Sequence, residues 1–228
     1  MFDPSKDKIT ISIPEFRMKR GSDIGRNEIG IVAFAIDSAG SANSSTSFFT
    51  NSFYFPKVNK WSWVKLGGVG RLVYGPKNPG SFVYYNVQFI ESDQDVREFG
   101  ESMKSVFESD EIKGIRDVLS TINPTVSIIS AVGAQIGSIV GKILSKNKND
   151  HLFTTEGTFL RDLEPPYNIG DKFSSSNDFI ECPILVTPLV ERNNKTKMFG
   201  ALESLTDVDE NNGALELSYQ SGKPKEIN

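Results

Sequence analysis

Three acidic clusters hold the residue types that could do chemistry. The first, RGSDIGRNEIGIV, carries Asp23 and Glu28 just before an apolar run. The second, IESDQD, places Glu91, Asp93 and Asp95 at alternate positions. The third, KNKND, ends in Asn149 and Asp150. Calcium takes about six to eight hard oxygen ligands, so loops distant in sequence must converge if these acids are to hold one. Each cluster also has an ordinary reading. Ser92 followed by Asp95 fits a helix cap, acids at a helix N-terminus are stabilised by the macrodipole, and Asp23 and Asp150 suit a turn and a polar helix exit.

Other chemistry has little to work with. The chain has one His and one Cys among 228 residues. A structural zinc site normally takes four Cys/His ligands, and a nucleophilic triad needs a base beside a nucleophile, so His151 supports neither and no enzymatic activity is expected. Cys182 lies in the apolar run FIECPILV and reads as a small buried hydrophobe. A formal net charge of −4 without a dense Lys/Arg block argues against nucleic acid as a partner. The acidity is concentrated: residues 91–117 hold nine acids against four bases. The first residues, MFDPSKDKITISIPEF, contain no apolar stretch of signal-peptide length, which suggests a cytoplasmic or membrane-peripheral location.

The elements that must position these acids follow from periodicity. Alternating or continuous apolar runs predict strands over 9–18, broken at Pro14, and over 28–36, 47–55, 61–66, 71–74 and 81–91. Two amphipathic helices are expected over 95–108 and 110–122, on the faces Val96, Phe99, Met103, Val106, Phe107 and Ile112, Ile115, Val118, Leu119, Ile122. A third starts at Asn123-Pro124 and runs to about residue 146. Strands return over 151–161 and 178–190, with weaker segments at 195–204 and 213–219. The expectation is a mainly β fold: an antiparallel β-sandwich over 1–219, with about three α-helices inserted at about 95–146 and a polar tail over 220–228. Trp61 and Trp63 share one strand face and are expected to serve core or cross-strand packing, with ligand stacking the alternative.

In this order the motifs resemble calcium-dependent, phospholipid-binding C2-type domains. SDIGRNEIGIV is similar to that family's first acidic element, and FIESDQD and KNKNDHLFTTEG to its second, here split by the inserted helices. The resemblance covers about residues 8–190 and implies Asp23, Glu28, Asp93, Asp95 and Asp150 as calcium ligands, with Glu91 as an alternative. It departs from the family at Glu28, where Asp is more usual, at Ile29 in place of Pro, and in the length of the third loop.

The third helix is unusual in its own right. Gly133, Gly137 and Gly141 recur at four-residue spacing, and no charge occurs from Val118 to Gly141. Each exposed helical Gly costs about 1 kcal/mol relative to Ala, so a close backbone approach is the expected compensation. Three placements follow: buried against the sheet, conditionally inserted at a membrane surface, or spanning a bilayer. In the latter two, Gly133, Ile136, Gly137, Gly141 and Lys142 are the membrane or partner contacts. The function expected is a non-enzymatic module that docks on membrane phospholipid or a protein through its loop end, with calcium as its ion. The alternatives are an assembly protein that forms homo-oligomers through the Gly-rich helix, and a toxin-like effector whose helix inserts into bilayers.

Overall fold

A computed structural model describes residues 2–21, 27–39, 48–92, 96–121, 125–146 and 150–189. All lie in one compact unit, Met1–Glu191. Asp23, Asp93 and Asp95, the weak strands expected at 195–204 and 213–219, and the tail lie outside the described residues.

The described residues are mainly β, with two antiparallel sheets and three α-helices. One sheet has the order β5-β2-β10-β1-β6, with β9 also paired to β10. Its strands are β1 (Lys8–Ile13), β2 (Glu15–Met18), β5 (Trp63–Lys65), β6 (Arg71–Lys77), β9 (Lys172–Ser176) and β10 (Ile180–Leu189). The other has the order β4-β3-β7-β8, from β3 (Asn27–Asp37), β4 (Phe48–Val58), β7 (Phe82–Glu91) and β8 (Asp150–Leu160). The helices α1 (Val96–Phe107), α2 (Asp110–Thr121) and α3 (Val126–Lys146) connect β7 to β8. Pro14, which has no N–H to donate to a ladder, separates β1 from β2. One strand escapes the sequence pattern: β9, KFSSS, is too serine-rich to read as a strand and is held at the sheet edge by its register with β10.

Period-two alternation divides the side chains between two cores. Ile9, Ile11, Ile13, Phe16, Ile180, Cys182 and Ile184 from the first sheet share one apolar cluster with Ile29, Ile31, Val83, Val87 and Phe89 from the second. Phe16 and Phe89 join the sheets with ring centroids 5.4 Å apart. The alternate residues of β3 and β7, including Val32, Phe34, Ile36, Tyr84 and Ile90, meet Phe99, Met103 and Val106 of α1, Ile112 and Leu119 of α2, and Ile129, Ile136 and Val140 of α3. Strands covered on both faces read as nearly unbroken apolar runs, which is why GIVAFAI and FVYYNVQFI show little alternation. Each fully buried Ile, Val or Phe contributes about 1.5–3 kcal/mol. Val118 departs from its expected face and stands 57% exposed.

Among the described residues no helix is long and apolar enough to cross a membrane. The glycines of α3 lie along the sheet instead. A Cβ on Gly133 would stand 2.2 Å from the Tyr84 ring, and one on Gly137 would stand 3.2 Å from the Gln88 amide, whereas one on Gly141 would meet nothing within 4 Å. Gly133 and Gly137 thus permit close approach to β7, the compensation expected from their cost in a helix. Ile136 is fully buried on the same helix, and Lys142 is exposed.

Candidate docking end

The strand registers gather several connections at one end of the sheets. Ile29 at the start of β3 pairs with Glu91 at the end of β7, and Glu91 pairs with Asp150 at the start of β8. The Ser92 N–H donates to the Glu28 carbonyl at 2.9 Å, which continues this ladder past the strands. Asn27 pairs with Val58, so β4 ends here too. On the other sheet, Met18 pairs with Ile180 and its carbonyl accepts from the Trp61 N–H at 2.7 Å. The Asn177 amide in the β9–β10 turn donates to the Leu152 carbonyl of β8 at 2.7 Å, tying the two sheets together at this end.

The acids of the described part do not share one direction. Ile29 belongs to the core between the sheets, so Glu28 projects to the helical side, where the Tyr54 hydroxyl donates to its carboxylate. Glu91 lies opposite Ile29 and is therefore on the other face, only 5% exposed, while Asp150 is exposed. No group of three or more His, Cys, Asp or Glu that could hold a metal ion occurs among the described residues.

The same end also has a basic and aromatic side, of which the sequence pattern marked the tryptophans but not their partner Arg17. Arg17 of β2 faces Trp63 of β5, with its guanidinium 4.9 Å from the Trp63 ring and 5.9 Å from that of Trp61, and it also bonds the Glu181 carboxylate. Neither indole is a core residue: Trp61 is 65% exposed and Trp63 37%. The signal was present in KWSWVK, where lysines flank both tryptophans.

Under α3 lies a polar bed, also unread in the sequence. Tyr84, Asn86 and Gln88 project at period two from β7. The Tyr84 hydroxyl donates to Glu156 Oε2 at 2.6 Å and the Asn86 amide to the same oxygen at 2.8 Å. Gln88 Nε2 donates to the Gly137 carbonyl at 3.0 Å. Burial, followed by the bond to Glu156, pushes the Tyr84 phenol well above its ordinary pKa, so it remains a donor.

The other titratable candidates have structural partners. The His151 ring Nε2 pairs with the Thr154 hydroxyl at 2.7 Å. Cys182 is fully buried, and burial pushes its thiol far up. It should resist a thiol reagent in the folded protein and react on unfolding; reaction of the native thiol at the rate of a free cysteine would contradict its placement. The fold and this end together define a mainly β, two-sheet protein with a helical excursion and a loop-bearing end of divided charge. No protein-family model matches the chain, and no curated protein matches it at a significant level.

Proposed function

We propose that the chain is a non-enzymatic binding module, an antiparallel β-sandwich similar to C2-type domains, that docks on membrane phospholipid or a protein partner through its loop-bearing end. The observation that carries this reading is the register Ile29–Glu91–Asp150, which starts β3, ends β7 and starts β8 side by side. The apolar cluster shared by both sheets supports the sandwich. In the calcium-dependent form, Asp23, Asp93, Asp95 and Asp150 hold the ion, which neutralises the acidic side and bridges to phosphate, and Glu28 joins them only by giving up its bond from Tyr54.

Vesicle sedimentation of the full chain with calcium and with chelator tests the reading. Calcium should increase binding, and Asp93→Asn combined with Asp95→Asn should abolish the increase. No binding to vesicles under either condition removes the lipid reading, and an increase that survives the double substitution removes the proposed ion site. Assembly or bilayer insertion through Gly133, Ile136, Gly137, Gly141 and Lys142 requires α3 to leave β7, because Gly133 and Ile136 are buried where it rests.

A further inference from the structure

We infer that the Trp61–Arg17–Trp63 stack and the lysines beside it form a calcium-independent docking surface for an anionic lipid bilayer. The inference shares the docking end proposed above and dispenses with its ion.

The stack is held from behind. Arg17 stands opposite both Trp63 and Glu181 in the strand registers, and its bond to the Glu181 carboxylate fixes the guanidinium against the two indoles. That clamp orders Trp61 without covering it. Trp61 has a φ of 66°, a left-handed conformation that bulky residues rarely adopt, and its N–H is committed to Met18. The left-handed backbone thus holds a large side chain exposed, and strain of this kind concentrates at functional sites.

Charge selects the partner. From Ser38 to Ile90 the sequence contains no acid and five bases. Of these, Lys57, Lys60 and Lys65 are exposed on either side of the tryptophans. Arg20, also exposed, lies at the same end with its guanidinium 5.8 Å from the Phe179 ring. Among the described residues, the acids of this sheet near the stack are Glu181, held by Arg17; Glu15, bonded by Lys172 at 2.6 Å; and the exposed Asp178. Indoles with an apolar body and a polar N–H settle at the headgroup level of a bilayer, and lysines beside them are drawn to anionic lipid. Trp61 stands on the turn between β4 and β5 with most of its surface bare, which suits a broad interface better than the enclosed pockets that seat protein hot spots.

The test uses the full chain in excess chelator with phosphatidylcholine vesicles, with and without phosphatidylserine. Binding is expected only with phosphatidylserine, weakening as salt rises. Lys57→Gln and Lys60→Gln should each reduce it about fivefold. Trp61→Asn, chosen because Asn tolerates the left-handed backbone, should reduce it at least as much while thermal unfolding stays unchanged. Trp63→Phe leaves Trp61 as the sole tryptophan, and its fluorescence should shift blue and be quenched by brominated acyl chains. Binding that needs calcium, or that leaves Trp61 unquenched, overturns the inference while sparing the calcium-dependent reading. Binding to soluble dextran sulfate or to a protein, with none to vesicles, overturns it in favour of that partner. Binding in chelator through Trp61 with no response to calcium sustains it and removes the ion from the proposed function.

Discussion

Replacing Lys77 with methionine should cost this protein about 3 kcal/mol of folding stability, from the lower part of the range for breaking a buried ion pair. Asp37, at the far end of β3 from Glu28, is fully buried, and its carboxylate accepts from Lys77 Nζ at 3.0 Å, the Tyr74 hydroxyl at 2.7 Å and the Ala39 N–H at 3.1 Å. Removing the cation strands a charge inside the protein, and the two neutral donors soften the loss without replacing it. Asp37→Ala should be at least as damaging, because it deprives the buried Tyr74 hydroxyl of its acceptor. Burial first, then the Asp37 charge, drives the Tyr74 phenol far above its ordinary pKa, so it keeps donating wherever the protein is folded. Denaturant unfolding with an unchanged slope measures both losses. A Lys77→Met cost below about 1 kcal/mol would show that neutral donors alone suffice for Asp37.

Alanine substitutions along α3 should rank by position, though the three glycines are chemically alike. At Gly133 the new methyl would stand 2.2 to 2.7 Å from three atoms of Tyr84. That ring cannot readily yield, since its hydroxyl is bonded to Glu156 and it packs at a 40° tilt beside Phe34, with centroids 6.1 Å apart. The helix must lift or the ring must break its bond, at a cost of about 1–3 kcal/mol. At Gly137 the nearest atoms are side-chain amide nitrogens at 3.2 and 3.3 Å, and the crowding is offset by the helix propensity of Ala, so the change should be near neutral. At Gly141 nothing lies within 4 Å, and Ala should stabilise by about 0.5–1 kcal/mol. Equal effects at all three positions would mean that α3 does not rest on β7 in this register.

The same series bears on function. Gly133→Leu should loosen α3 and uncover part of the apolar cluster it shares with β3 and β7, read as increased binding of a hydrophobic dye. Stronger vesicle binding by that variant would favour conditional insertion of the helix. Unchanged binding would leave docking to the loop-bearing end.

Local pattern alone determined a mainly β chain interrupted by three helices. Alternation in ITISI and the apolar faces of α1 and α2 are properties of neighbouring residues. The burial of Cys182 follows from its place in an apolar strand. KFSSS gave no such signal, because β9 owes its strand geometry to pairing with β10 rather than to its own residues. The acids of the candidate site were visible as residue types, but which way each points was decided by strand parity across β3 and β7, which sends Glu28 and Glu91 to opposite faces. The Gly spacing in α3 announced a close approach without naming the surface, and only the packed sheet identified it as Tyr84, Asn86 and Gln88. Likewise KWSWVK showed two tryptophans among lysines, while their exposure and the Arg17 clamp arose from strands far apart in the chain. Sequence carries the interactions within a helical turn or a strand repeat. Contacts that depend on register, parity and the meeting of distant strands exist only once the chain has folded.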